Sequence, residues 1–396
     1  DCGSKVIPLI TFYFWAVWFN IHQCASVCEV QQQVPNFVLI AAEYLCGFFL
    51  ENMSLRDGIL LGMGNPLLDI SAVVDENFLK KYDLLPDNAI LAEEKHKPMY
   101  NELIEKYNAD FIAGGSVQNT LRVAEWILER GNVAVFFGCV GQDRYAKILE
   151  ERAHAAGLNV QFQYTKEAPT GTCGVLITGH HRSLCANLAA ANHFTIDHLE
   201  KPENQQHLRN ANYFYVSGFF LTVSPPSILA AAKHANEYNK MFLFNLSAPF
   251  LSQFYKDPLM QVLPYVDVLF GNETEAETFA EEQNLGTCDV KEIAKLIAEL
   301  PKVNKERSRV VVITQGAKPV LIVEKGVIHE FPVDRLDMAD VVDTNGAGDA
   351  FVGGFLSQLV LNKSLDVCVK CGIWAAQKII RNSGCTFDGK PDFNIQ

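Results

Sequence analysis

Close to its C-terminal end the chain places two acids around a run of small residues, Asp343-Thr-Asn-Gly-Ala-Gly-Asp349, and continues as AFVGGFLSQLV to Val360. The pattern after Gly348 is helical. Asp349 therefore falls in a first turn, where orphan backbone N–H groups and the helix dipole favour an anion. Gly346 and Gly348 have no Cβ to keep a ligand off the backbone, and Ala347 adds a single carbon. A carboxylate beside such an anion hole suits phosphoryl transfer: the acid takes the nucleophile's proton while amides face the charge on the moving group. A tight strand-to-helix turn capped by Asp349 explains the same letters.

Four weaker constellations accompany it. Asn272-Glu-Thr-Glu275 follows the strand-like run VDVLFG, and at i and i+3 its amide and carboxylate share a helical face that could meet hydrated Mg²⁺ or phosphates. The same N-x-x-E is also a helix-capping box. Gly114-Gly115-Ser116-Val-Gln-Asn119 offers close backbone, a hydroxyl and an amide, suited to sugar hydroxyls or simply to a capped Gly-Gly turn. GMGNPLLDI supplies Asn65 and Asp69, and a carboxylate at Asp69 could accept two hydrogen bonds from a vicinal diol or lie as a surface acid. Arg182, in HHRSLCANLAAAN, could clamp phosphate or stay solvated.

Other chemistries lack their motifs. The chain has no GxxxxGK[ST], no complete dinucleotide fingerprint, no HRD or DFG, and no HExxH. Cys368-Val-Lys-Cys371 is a lone CxxC on a helical pattern, and the 11 cysteines read as free thiols.

The elements that must hold these groups come as alternating patterns. GILLGMG (58–64), VAVFFGCVG (133–141), YFYVSGFF (213–220), MFLFNLS (241–247), VDVLFGN (266–272) and RVVVITQG (309–316) suit strands buried on both faces. MADVV reads as a further strand ending at Asp343. Helical stretches lie between: Val117, Leu121, Ala124 and Leu128 share a face, Pro225-Pro226 open a helix, and 290–300 is amphipathic. This predicts an α/β fold with a doubly wound, mostly parallel sheet. Two regions, about 67–92 and 160–195, break the rhythm with short alternating runs such as VQFQYT and TCGVLIT, and predict a small lid of antiparallel strands. VLIVEKG and GVIHEFP predict a hairpin. Most of the motifs sit where a strand ends, along the edge at which parallel sheets bind ligands.

With 33 basic and 46 acidic residues the formal charge is −13, which argues against a nucleic-acid partner. Hydrophobic residues at 49% of 396 allow a large core. Residues 1–53 form an apolar extension: Val6 to Cys28 holds no Asp, Glu, Lys or Arg, whereas Met53 opens what looks like the start of a globular chain. We expect the extension to be extraneous to the fold, with a targeting or anchor segment or an ordered part of the fold as the alternatives, and 54–396 to be the working domain.

DTNGAGDAFVGGFL resembles the C-terminal signature of the ribokinase-like (PfkB) carbohydrate and nucleoside kinases. GMGNPLLDI, AGGSVQNT, RSLCANLAAAN, GFFLTVSP, NLSAPF and FGNETEAE extend the resemblance, in order, over about 54–394. It implies a sheet flanked by helices with a closing lid, and transfer of phosphate from ATP, with Mg²⁺, to the 5′-hydroxyl of adenosine. Asp349 is then the base, Gly346 to Gly348 the anion hole, and Arg182 a lid residue reaching phosphate. Asp69 holds the ribose with Gly115 and Asn119, while Asn65 and Ser116 lie beside the base. Leu67, Leu91, Leu184, Ala186, Phe219 and Phe250 wall the adenine. Asn272, Glu275 and Gly316 serve ATP, Glu275 meeting the metal through water. The resemblance also implies a cytoplasmic monomer, with the nucleus a second open compartment. A sugar kinase of the same fold and a non-catalytic nucleoside-binding protein remain the alternatives. Gly174-Val175, His180-His181, Ile373 and Trp374 depart from the family pattern, the last two where polar contacts near the ATP adenine are expected.

Overall fold

A strand buried at every position cannot border water on either face, and Ala134–Gly141 is buried at all eight of its residues. It lies inside a nine-stranded sheet. The computed structural model describes residues 55–394 apart from 87, 180, 338 and 339. The apolar N-terminal extension, and the choice between leader and anchor, lies outside the described residues. Among those residues no helix is long and apolar enough to cross a membrane.

The strands in chain order are β1 (Leu60–Met63), β2 (Leu67–Val73), β3 (Ala89–Leu91), β4 (Asp110–Gly114), β5 (Ala134–Gly141), β6 (Asn159–Thr165) and β7 (Thr172–Thr178). They continue as β8 (His181–Asn187), β9 (Tyr213–Ser217), β10 (Met241–Asn245), β11 (Val268–Asn272), β12 (Val310–Gln315), β13 (Lys318–Glu324) and β14 (Val327–Phe331). The large sheet runs β14-β13-β12-β11-β10-β9-β1-β5-β6. From β12 to β6 every pairing is parallel; β13 and β14 form the expected hairpin and close the edge antiparallel. Chain order reverses around β1, which pairs with β5 on one side and β9 on the other. Such a switch point opens a crevice at the carboxyl ends of the strands.

Alternate residues feed two cores. Leu61, Met63, Phe137, Phe214, Phe242 and Phe244 face one helical layer, while Leu60, Phe136, Tyr215, Leu243 and Phe270 face the other. Four helices matter for the site: α1 (Ser116–Leu128), α2 (Glu273–Glu282), α3 (Ala347–Leu359) and α4 (Leu365–Ile379). α3 packs against both α1 and α4. Gly353 and Gly354 permit that approach, since a Cβ there would lie 2.6 Å from Thr120 O and Cys371 O respectively.

A second sheet, ordered β3-β8-β7-β2-β4, mixes parallel and antiparallel pairs over a small core of Ile70, Phe78, Met99, Leu103 and Leu176. Two expectations need correction. Residues 159–165, expected as an antiparallel strand of the lid, pair parallel with β5 as an edge of the large sheet. An alternating pattern marks a half-covered strand, and an edge strand of a parallel sheet is half-covered too. Val341–Asp343, expected as a strand, forms none: the N–H groups of Val342 and Asp343 both donate to Ile380 O instead. A Val-Val pair favours a pleated surface only where a neighbouring strand supplies one. The CxxC thiols are buried on α4 and free.

Arg309, 1% exposed, stitches the base of the β11–β12 region together. It donates to Ile297 O at 2.8 Å, Leu263 O at 2.8 Å, Leu300 O and Pro301 O at 3.0 Å, and Val266 O at 3.3 Å. Removing the guanidinium orphans buried carbonyls. Arg309→Met should lower the unfolding free energy by about 3–5 kcal/mol in denaturant titration, against less than about 0.5 kcal/mol for Arg56→Met on the surface.

Candidate active site

Helix α3 begins at Ala347 with Gly346 as its N-cap, at φ 77°, a left-handed conformation that glycine adopts without strain. No side chain caps it. Asp349 in the first turn turns away from its own helix to meet α1: Ser116 Oγ donates to its Oδ1 at 2.6 Å and Asn119 Nδ2 to its Oδ2 at 3.1 Å. Asp349 keeps some surface on the cavity while its carboxyl is enclosed by protein. That enclosure pushes its pKa up to about 6, with the Ser116 and Asn119 donors opposing the rise. Ser116 likewise leaves its own helix end uncapped. Both capping alternatives read from the sequence are thus replaced by a bond between two helices 233 residues apart.

Asp69 lies on β2, opposite Ile112 of β4. Its carboxylate sits over Gly114, where a Cβ would be 2.3 Å from the carboxyl atoms, so only glycine lets the two strands carry it. Burial pushes Asp69 up to about 8, with the charge of Asp349 adding, Arg122 opposing and Asp343 adding. Two acids on one cavity are thereby set apart in proton affinity.

The cavity measures about 290 Å³ and lies between the strand ends of the large sheet and the inner face of the small one. Asn65, Leu67, Asp69, Leu91, Gly115, Ser116, Asn119, Leu184, Ala186, Phe219, Phe250, Asn272, Glu275, Gly346, Gly348 and Asp349 all line it. The rings of Phe219 and Phe250 are 6.3 Å apart and tilted by 43°. Leu67 and the small-sheet residues Leu91, Leu184 and Ala186 form one apolar cluster. Such a slot, apolar on one side and acidic on the other, suits a flat aromatic base joined to a hydroxylated ring.

Asn272 and Glu275 form the capping box at the start of α2 and face the cavity as well. Asn272 Oδ1 accepts from Glu275 N at 2.8 Å, Glu275 Oε2 accepts from Asn272 N at 3.0 Å, and Asn272 Nδ2 donates to Glu275 Oε1 at 2.9 Å. Burial pushes Glu275 up to about 7; the Asn272 N–H opposes, Glu273 adds, and the Ser247 N–H opposes. Among the described residues no group of three or more His, Cys, Asp and Glu could hold a metal ion by itself.

Three predicted residues stand outside the lining. Ala347 opens α3 beside it. Gly316 lies in the exposed turn after β12, two residues beyond Thr314, which does line it. Arg182, buried on β8, is paired through Nε with Asp343 Oδ1. The structure adds Ser217, Asn245, Ser247 and Thr314 to the lining. Each lies within two residues of the carboxyl end of a strand of the large sheet, so the strand-end rule applied to every apolar run would have found them. Ser247 is left-handed at φ 67° and accepts from Gly218 N at 3.0 Å, a strained turn of the kind that gathers at functional sites. Trp374, where polar contacts were expected, stacks on Trp126 at 5.4 Å and 13°.

Comparison with known proteins agrees with this geometry. Residues 77–392 match the model of the pfkB family carbohydrate kinases. Adenosine kinase 2 of Arabidopsis thaliana is 53% identical over 338 residues, covering 85% of this chain and 98% of its own length. The crystal structure of Anopheles gambiae adenosine kinase in complex with P1,P4-di(adenosine-5) tetraphosphate superposes with a TM-score of 0.84 at 63% identity, covering 86% of this chain and 100% of that one. Adenosine kinase from Schistosoma mansoni in complex with 2-fluoroadenosine gives 0.82 at 37% identity, with 85% and 98% covered. The mostly parallel sheet, its small companion sheet and the sequence match agree: this chain belongs to the pfkB family of carbohydrate kinases.

Proposed function

We propose that the chain transfers the γ-phosphoryl group of ATP to the 5′-hydroxyl of adenosine, yielding AMP and ADP and so returning a free nucleoside to the nucleotide pool. The observation that carries this reading is the pair of buried acids, Asp349 at the head of α3 and Asp69 on β2, on the wall of a cavity whose other side is apolar. Relatives at 40–53% identity over most of the chain are named adenosine kinases, which supports the substrate. A sugar would leave the Leu67, Leu91, Leu184 and Phe219 surfaces without an apolar partner.

The roles follow from the environments. At neutral pH Asp349, with a pKa of about 6, is ionised and can accept a proton; Asp69, at about 8, carries one when the cavity is empty. A protonated Asp69 can donate to one ribose hydroxyl and accept from its neighbour. Asp349 takes the proton of the 5′-hydroxyl as that oxygen bonds to the γ-phosphorus. The bond from phosphorus to the β–γ bridging oxygen breaks, and its electron pair leaves with ADP. Backbone N–H groups of Gly346 and Gly348 at the head of α3 face the charge that spreads over the transferring group, and that of Ala347, which donates to Thr344 O at 3.3 Å, holds the turn between them. Most of the acceleration is positioning, and effective-molarity gains of about 7–11 kcal/mol are the upper range. Ser116 and Asn119 hold both carboxyl oxygens of Asp349 in place for this.

Mg²⁺ fits this site as an ion carried in by ATP rather than one resident in the protein. Glu275 is 6% exposed and offers the cavity one carboxylate, with Asn272 beside it, a donor set that can order a water on a phosphate-bound ion. The ion supplies neutralisation of phosphate charge. Ala347 belongs to the anion hole through its backbone. Gly316, in the turn after Thr314, belongs to the ATP side. We place the protein in the cytoplasm and, on the same reading, in the nucleus, acting as a monomer; residues 54–396 are the working domain and the small sheet is its lid.

Incubation of the protein with ATP, Mg²⁺ and a nucleoside and sugar panel should yield AMP from adenosine as the preferred product; a phosphorylated sugar as the main product would refute the assignment. Asp349→Asn should lower kcat by about 10²–10⁴-fold while adenosine Kd, from calorimetry, stays within about threefold. Because the base must be ionised, kcat/KM should fall as pH drops through about 6, with a slope of one in the log plot. Ser116 stabilises the charged form, so Ser116→Ala should move that acid midpoint to higher pH; an unmoved midpoint would detach Ser116 from the base. Glu275→Gln should shift the Mg²⁺ titration of initial rate to higher concentration, whereas a superimposable curve would leave Glu275 with its capping role alone.

A further inference from the structure

Asp343 does not line the cavity, yet three separate parts of the chain converge on it. Its Oδ1 accepts from Asn345 N at 2.8 Å, within the loop that leads to Gly346. Its Oδ2 accepts from Gly384 N at 2.6 Å, at the start of the C-terminal tail. Arg182 of β8 closes the set by pairing with Oδ1. Asp343 is 2% exposed and Arg182 9%, so water does not screen the pair.

Arg182, Leu184 and Ala186 are alternate residues of one strand and therefore share a face. Leu184 and Ala186 form part of the cavity wall. The strand that walls the nucleoside side is thus pinned, at its first turn of side chains, to the loop that opens the anion hole.

The tail arm is itself anchored. Beyond Gly384, Cys385 packs on the loop so closely that a Cβ on Gly346 would lie 3.0 Å from its own. Trp126 of α1 stacks between Trp374, at 5.4 Å and 13°, and Phe387, at 4.9 Å and 21°, and its Nε1 donates to Gly389 O at 2.9 Å. The helix that holds Asp349 through Ser116 and Asn119 therefore also holds the tail that holds Asp343.

We propose that Asp343 and Arg182 form a clasp that seats the small sheet against the Gly346–Gly348 loop, making both of them positioning residues for phosphoryl transfer. The proposal deepens the reading as an adenosine-phosphorylating kinase and rests on it. In this arrangement Arg182 serves the reaction through Asp343, and one buried carboxylate sets the nucleoside wall and the anion hole together. Breaking the pair removes the ionic contact that joins β8 to the loop, and the small sheet loses that hold on it. Adenosine then escapes faster and the amides behind the γ-phosphate are less well placed.

Arg182→Met, Arg182→Lys, Asp343→Asn and the Arg182→Met/Asp343→Asn double variant are compared with the wild type in two readouts. The first is amide exchange of 181–187 and 343–349 in the ligand-free protein; the second is the adenosine release rate with kcat at saturating ATP. In Arg182→Met and Asp343→Asn both segments should exchange faster together. Release should rise by about tenfold and kcat should fall, with the double variant no worse than Asp343→Asn alone, as a shared interaction requires. Arg182→Lys, which keeps a cation, should recover most of the wild-type release rate. Should Asp343→Asn fail to fold, the two Arg182 variants still decide, because both leave the bonds from Asn345 and Gly384 in place. Unchanged exchange in Arg182→Met, Met and Lys variants that release adenosine equally fast, or multiplying effects in the double variant, would each overturn the clasp. Faster exchange in a wild-type background that turns over no adenosine would instead overturn the functional reading and leave the clasp standing.

Discussion

The structure turns on keeping a carboxylate both ionised and dry. Enclosing Asp349 in protein favours its neutral form, and a neutral acid at the head of α3 could not accept a proton. Ser116 and Asn119 hold it short of that outcome by donating to both oxygens. In the proposed reaction bare burial would silence the base, and solvent exposure would admit water as a competing phosphoryl acceptor. A pKa of about 6 lies between those failures. The other features of the site supply donors from one half of the chain to an acid from the other.

That supply explains the architecture. Ser116 and Asn119 reach Asp349 because α1 and α3 pack side by side on the same layer of the sheet, with Gly353 letting the helices close on each other. Asp69 reaches the same cavity from the small sheet, because β2 leaves β1 after a short turn through Asn65 and crosses over the strand ends. The sequence thus distributes the two acids to different layers, and burial with their mutual repulsion sets their proton affinities apart. Separated affinities allow two identical functional groups to take different tasks in one pocket.

Much of this was legible from the chain. The six apolar runs became strands of the large sheet, because residues buried on both faces need no alternation and leave a clear signature. Gly-Ala-Gly-Asp announced a helix head, which the fold leaves without a side-chain cap, and Gly114-Gly115 announced a close approach whose other party, Asp69, only the fold reveals. What stayed hidden depends on partners far along the chain. Residues 159–165 alternate like a lid strand, since a half-covered edge looks the same in either sheet. The Val341–Val342 run looks like a strand, yet Val342 and Asp343 bond to Ile380 instead. Ser217, Asn245, Ser247 and Thr314 are ordinary polar letters until strand ends are lined up in space.

Trp374 and Arg182 show the same limit from the other side. Against a family pattern, Trp374 looks like a disturbance of the nucleotide site; in the fold it is one of three stacked rings, with Trp126 of α1 and Phe387 of the tail. Arg182 looks like a phosphate ligand because it is a lone cation beside lid strands; in the fold it pairs with Asp343, the first letter of the motif whose last letter is the proposed base. The motif Asp343–Asp349 therefore carries two acids with different tasks. One faces the cavity, and one turns inward to gather the loop, the tail and the small sheet. Six residues and a left-handed glycine separate them, and they bond to different parts of the chain, Asp349 to Ser116 and Asn119 and Asp343 to Asn345, Gly384 and Arg182.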